Sequence, residues 1–422
     1  MARVLLVDLD GGGNLPPELG LLEELVRRGH TAHVLADPTI EVNARGVGAG
    51  FTPWRRPRHF GSIDEQTAGI RDLERMQPLA RARFARDEIL CGPAPLYADD
   101  VVETAAEFRP DVVLVGWALV GGVIGALATG VPVAALIPNA YNRPSAPLPQ
   151  LGTGWELPRG RPGRWRDAAL AGVVRRLQRS GLDPVNAALA RHGLDTTDDM
   201  FSLVDRCERV LVLTSPSFDL PFPDLPANVR YVGPQLEDPA VVAGGADWRP
   251  EGAGPLVLVG MSSVYQGQTE LLNRASNALG RLPVRGLVTT GGGVDPAEVE
   301  APPNVRVVRW APHSEVLEEA TVVVTHCGHG TAVKALAAGV PMVCVPQGRD
   351  QKDVALRVRR VGAGVIISRR GGREALADAV SRVLSKPGYR AAAERFALTL
   401  QAERQHYPSG ADEVEALLRA PA

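Results

Sequence analysis

Short, uniformly apolar runs recur along the chain: Val4–Val7, His33–Leu35, Val112–Val115, Val133–Ile137 and Val210–Leu213, then Leu256–Val259, Leu287–Thr290, Val305–Val308, Val322–Val324 and Val343–Val345. A strand buried on both faces needs apolar side chains at every position, so these runs predict parallel strands covered by helices. Helix-length segments separate most of them. In the first, Leu19, Leu22, Leu25 and Val26 share one helical face, and Gly29 follows where a helix C-terminal cap belongs. The repeated alternation predicts an α/β fold with doubly wound parallel sheets.

Val112–Pro138 carries no charged side chain and is long enough to cross a bilayer. Gly130-Val131-Pro132 interrupts it, however. A strand over 112–115, a helix over 119–129 and a strand over 133–137 make a soluble β-α-β unit instead. The opening Arg3-Val4-Leu5-Leu6-Val7 reads as a strand and not as a signal peptide. Pro216–Pro255 is rich in proline and poor in helical periodicity, as linkers are, and the β-α pattern restarts at Leu256. The expected organisation is an N-terminal domain over 1–230, a linker over 231–254 and a C-terminal domain over 255–422. Two Rossmann-like domains then face each other across a cleft, with the chemistry on loops at the carboxyl ends of strands.

Composition narrows the classes. The 422 residues are 45% apolar and 22% charged, which excludes a disordered chain or a disulfide mini-scaffold. The 46 basic and 48 acidic residues leave a net charge of −2, which argues for neither nucleic acid nor membrane as a partner. Only Lys334, Lys352 and Lys386 are lysines; so strong a bias to arginine reads as codon usage. Cys91, Cys207, Cys327 and Cys344 form no C-x-x-C, so no zinc or redox pair is expected, and a reduced cytoplasm fits. Gly11-Gly12-Gly13 is followed by Leu15-Pro16-Pro17 and not by dinucleotide-binding spacing, which leaves an NAD enzyme a weak rival.

Three loops after strands carry candidate chemistry. Thr325-His326-Cys327-Gly328-His329-Gly330-Thr331 follows a Val-rich strand and opens a helix. Glycines there let backbone N–H groups approach a phosphate, and the helix dipole favours its charge. An ordinary tight turn is the plain alternative. Arg309-Trp310-Ala311-Pro312-His313 puts a tryptophan at a strand end, where it either stacks on a base or packs in the core. Gly348-Arg349-Asp350-Gln351 offers an acid and an amide suited to sugar hydroxyls; alone it would be a solvated turn.

Together, in this order and spacing, the three loops resemble the donor-binding signature of the inverting nucleotide-sugar glycosyltransferases of GT-B fold. The resemblance is nearest to the bacterial branch that glycosylates natural products such as macrolides and polyketides. Ser262-Ser263-Val264-Tyr265-Gln266-Gly267-Gln268, Tyr231-Val232-Gly233-Pro234 and Ala337–Met342 agree with it. It implies that Trp310, with Ala311, meets the base. It also implies that His326, Gly328, Gly330 and Thr331 hold the diphosphate, faced by Ser262 or Ser263, and that Asp350 and Gln351 grip the sugar. His313 and His329 are further candidate contacts. Family members that use UDP-sugars often carry glutamate at the position of Lys334, gripping the ribose hydroxyls. Lysine cannot accept those hydrogen bonds, which favours a dTDP-deoxysugar.

The same resemblance implies a histidine in the first loop as base and an aspartate after a later strand to orient it. Here Asn14 and Gly116 stand at those places. Three accounts remain: Asp10 is the base, the acceptor ionises easily, or the protein binds sugar nucleotides without transfer. Asn14 and Asp10 also fit as cap or turn residues. Asp8-Leu9-Asp10 spells the D-x-D of some metal-dependent transferases, but those have another fold, and no metal is expected. Trp54, Phe60, Phe84 and Tyr141 fall in irregular segments that would build the acceptor pocket, although ordinary packing is the plainer reading of each taken singly. The expectation is a cytoplasmic glycosyltransferase that needs no cofactor beyond its nucleotide-sugar co-substrate. Its rival is a catalytically silent homologue that partners an active enzyme. A homodimer is compatible with either.

Overall fold

The computed structural model describes residues 1–141, 148–222, 224–237, 247–262 and 266–419. Seven parallel strands build the first sheet: β1 (Arg3–Val7), β2 (Thr31–Ala36), β3 (Gly50–Pro53), β4 (Val112–Gly116), β5 (Val133–Ile137), β6 (Arg209–Val212) and β7 (Val229–Tyr231). Their spatial order is β3-β2-β1-β4-β5-β6-β7. Six more build the second: β8 (Leu256–Gly260), β9 (Arg285–Thr289), β10 (Val305–Val308), β11 (Ala320–Thr325), β12 (Met342–Cys344) and β13 (Gly364–Ile366), in the order β10-β9-β8-β11-β12-β13. The order reverses direction at β1/β4 in one sheet and at β8/β11 in the other. Those two crevices are where ligands of such sheets bind.

Each sheet has an apolar core on both faces. Leu5, Val7, Val113 and Val115 point one way, and Val4, Leu6, Val112 and Leu114 the other. Leu256 and Leu258 oppose Val257 and Val259 in the second sheet. This two-sided burial is why the sequence runs are uniformly apolar. Val112–Ala128 and Val133–Ile137 form a strand, a helix and a strand, and no helix among the described residues is long and apolar enough to cross a membrane. Three strands carry no such run in the sequence. β3, β7 and β13 are three or four residues long and sit at sheet edges, where one side needs no covering. The last helix, Gly410–Arg419, leaves the second sheet altogether. Ala411, Val414 and Leu417 complete the core of the first sheet beside Leu21 and Leu25, so the span 255–422 is not one packing unit.

Candidate active site

β11 and the helix His329–Ala337 are joined by a turn only three residues long. Thr325 Oγ1 accepts the Cys327 N–H at 3.1 Å, and Cys327 adopts a left-handed φ of 65°. A Cβ on Gly328 would lie 2.6 Å from His326 Nε2, so only glycine fits beside that ring. The helix N-terminus has no side-chain cap, and a Cβ on Gly330 would meet nothing within 4 Å. An uncapped helix start with open space before it is an anion site in waiting. His326 stands at its rim, only 7% exposed. Burial pushes its pKa down to about 4, opposed by a hydrogen bond to the Gly260 backbone and helped by the nearby Arg349 guanidinium. The imidazole is therefore neutral at pH 7. Its Nδ1 is buried with no hydrogen-bond partner among the described residues.

Ser262 lies in the loop after β8, the strand that pairs with β11. Its Oγ accepts a hydrogen bond from Gln266 Nε2 at 3.0 Å, and Gln268 Nε2 holds its carbonyl at 3.1 Å. Ser263 lies outside the described residues. Gln351, expected as a sugar contact, has a structural part as well. It is 2% exposed; its Oε1 accepts the N–H groups of Gln347 (2.7 Å) and Gly348 (3.1 Å), and its Nε2 donates to Gln266 Oε1 at 2.8 Å. Gln351 thus shapes the loop before its helix and ties it to the loop of Ser262. Gln266 is the unforeseen member of the site; it lay within a segment singled out in the sequence, but nothing there distinguished it from its neighbours. Gln266→Leu strands the Gln351 amide, and unfolding in denaturant is expected to show a loss of about 1–3 kcal/mol. An unchanged midpoint would mean the bridge is incidental.

Asp350 precedes the helix Gln351–Val361, makes no cap hydrogen bond, and has its carboxyl pKa raised by burial. It stays available for a sugar hydroxyl. Trp310 is 45% exposed at the end of β10, a large aromatic face open to stacking, whereas its neighbour Ala311 is buried in the second core and is packing. His313 opens a short helix, with Nε2 3.2 Å from Thr289 Oγ1 and its ring packed over Gly260. His329 is a second correction. Its Nε2 lies 2.7 Å from Thr214 Oγ1 of the first domain, and its ring packs beside Phe218. It joins the domains, and burial pushes its pKa down to about 3.

On the acceptor side, Asp10 organises its loop. Oδ2 accepts the Thr39 hydroxyl at 2.7 Å and Oδ1 the Gly12 N–H at 3.1 Å, while Asp37 holds the Asp10 N–H at 2.7 Å. Burial raises Asp37 to about 6. Asn14 is exposed and does not cap the helix Leu15–Arg27. Two proposed pocket aromatics prove to be core. Trp54 packs edge-on against Tyr97 with ring centres 4.8 Å apart, and Tyr141 packs against Phe222 at 5.3 Å; both are 1% exposed. Phe60 and Phe84 remain half-buried, Phe60 against Gly69 of the helix Ile63–Arg75. Among the described residues no group of three His, Cys, Asp or Glu is arranged to hold a metal.

Comparisons with known proteins place the chain in a family. Residues 278–417 match the family model described as erythromycin biosynthesis protein CIII-like, C-terminal domain. The chain is 30% identical over 413 residues to 4'-demethylrebeccamycin synthase of Lentzea aerocolonigenes, covering 94% of each. Among solved structures, it superposes on the kitacinnamycin glycosyltransferase (25% identity, TM-score 0.74, 99% and 98% of the two chains). It also superposes on the glycosyltransferase VinC, solved with dTDP (21%, 0.65, 99% and 98%). The chain belongs to the GT-B glycosyltransferases of antibiotic biosynthesis, with two Rossmann-like domains. It is therefore an enzyme of glycosyl transfer, and the comparisons do not favour a silent binder.

Proposed function

We propose that the enzyme moves a deoxysugar from a dTDP-sugar to a natural-product acceptor, with inversion, in the cytoplasm and without a resident metal or cofactor. The observation that carries this reading is the orphaned Nδ1 of His326 beside the uncapped start of the helix His329–Ala337. Buried polar atoms in folded proteins almost always have partners, so one left over at an anion site points to a ligand. In a single displacement, the helix start, Thr331, Ser262 and His326 receive the charge that develops on the departing diphosphate. Asp350 holds the sugar, and Trp310 stacks on the base. Lys334 supports dTDP over UDP. Its Nζ donates to the Glu237 carbonyl at 2.8 Å, and it offers no acceptor to a ribose diol. That VinC was solved with dTDP is compatible with this choice.

Calorimetric titration with dTDP and with UDP, without added metal, tests the reading. Tighter binding of dTDP is expected, with Lys334→Glu moving the preference toward UDP. A wild-type preference for UDP would overturn the donor choice, and binding of neither would overturn the donor site.

A further inference from the structure

Asn14 and Gly116 leave the acceptor end of the cleft without the dyad expected there, yet the fold puts a carboxyl in the second place. Asp8 follows β1. A Cβ built on Gly116, at the end of β4, would lie 2.2 Å from Asp8 Oδ1 and 2.9 Å from its Cγ. The Asp8 carboxyl thus occupies the volume that a side chain at 116 would fill, and glycine at 116 is the condition for its position. β1 and β4 are neighbours. The helix after β1 packs on one face of the sheet and the helix after β4 on the other, so the carboxyl ends of these strands open the ligand crevice.

Behind Asp8, Glu18 projects from the helix Leu15–Arg27. It is 1% exposed and hydrogen-bonded to Asp8, and its Oε2 has no partner among the described residues. Two carboxyls can share a hydrogen bond only if one keeps a proton. Burial raises both. Asp8 also accepts the Leu9 backbone N–H, which favours its charged form, whereas Glu18 Oε2 has no partner among the described residues; the pair therefore keeps its proton on Glu18 and its charge on Asp8. The other charged groups that bear on the pair are Asp10 and Asp37, both acids.

We infer that Asp8, backed by the protonated Glu18, is the base that takes the acceptor's proton. The inference rests on the glycosyl-transfer reading above. As the acceptor heteroatom bonds to C1 of the sugar, the bond from C1 to the diphosphate oxygen breaks, and its electron pair leaves with the nucleoside diphosphate. The acceptor's proton passes to an Asp8 oxygen and from there to water. Asp10, whose two oxygens already hold Thr39 and Gly12, keeps the loop in shape.

The test is turnover of a dTDP-sugar, with phenol and alcohol acceptors and with water alone, across pH. Asp8→Asn keeps the hydrogen bond to Glu18 and is expected to lose about 100-fold or more in turnover, with dTDP affinity unchanged. Glu18→Gln is expected to move the acidic limb of the pH profile upward, because an amide N–H supports the Asp8 carboxylate less well than a carboxylic O–H. A difference infrared spectrum at neutral pH is expected to carry a protonated-carboxyl band that Glu18→Gln removes. Turnover by Asp8→Asn within about threefold of wild type, or absence of that band, overturns the inference; where turnover is too slow to follow, the band alone decides. A protein that binds dTDP but fails these tests leaves the donor reading standing, and one that binds no nucleoside diphosphate fails both.

Discussion

Arg357→Met is expected to destabilise the protein by about 3–5 kcal/mol, the cost of leaving a buried charge without its partner. Arg357 sits on the helix Gln351–Val361 of the second domain and Asp219 on the segment after β6; both side chains are essentially fully buried. Arg357 Nε and Nη2 reach Asp219 Oδ1 at 3.1 and 2.6 Å. Asp219 Oδ2 also accepts the Tyr141 N–H at 2.6 Å and the Tyr231 hydroxyl at 3.0 Å. Removing the guanidinium leaves a carboxylate that water cannot reach. One turn earlier, Asp353 accepts the N–H groups of Gly152 (2.5 Å) and Gly154 (2.7 Å), both of which hold left-handed φ values of 85° and 64°. The same helix begins at the loop of Asp350, so these contacts fix how the first domain sits against the second. Thermal unfolding is expected to show a lower midpoint and separate transitions for the two domains. The double variant Arg357→Met with Asp219→Leu is not expected to recover, because Tyr141 and Tyr231 then lose their acceptor. A midpoint equal to wild type would show that the ion pair does not join the domains.

None of these contacts could be read from the sequence, and the reason is physical. Apolar runs are dictated by two-sided burial, so the central strands were legible to within a residue or two. The turn after β11 was legible as a strand-to-helix turn as well, because its glycines mark it; the close approach of Gly328 to the His326 ring is the structure's own reason for one of them. Side chains that act across the domain interface leave no such trace. His329 sits in the motif like a ligand, and only the position of Thr214, 115 residues earlier, gives it another partner. Gln351 looks like a free sugar contact until the backbone of its own loop is seen to hold its Oε1 and Gln266 to hold an N–H of its Nε2. Glu18 did leave a signal. It precedes Leu22 by four residues and Leu25 by seven, which places it on the buried face of its helix. The vacancy at 116 was legible, but its filling by Asp8 was not, since register between β1 and β4 exists only in the folded sheet.

Donor binding is expected to take up about one proton through His326, because a phosphate oxygen can only accept and both ring nitrogens must then donate. The unliganded ring is neutral, its pKa pushed down to about 4 by burial. Its hydrogen bond to Gly260 uses the one N–H of the neutral tautomer, which leaves Nδ1 bare. A diphosphate at the helix start supplies the negative charge that favours the imidazolium and reverses the effect of burial. By linkage, a complex that holds one more proton than its free components weakens as pH rises. The affinity for dTDP is therefore expected to fall as pH rises above the free ring's value of about 4, and titrations in buffers of different ionisation enthalpy are expected to report the uptake. His326→Ala removes a hydrogen bond to a charged group, worth about 1.5–3 kcal/mol, so its affinity for dTDP is expected to drop roughly 10- to 100-fold and to lose the pH dependence. If the variant binds dTDP as tightly as wild type, or wild type takes up no proton, the ring does not touch the diphosphate. The helix start, Thr331 and Ser262 would then hold the leaving group without it.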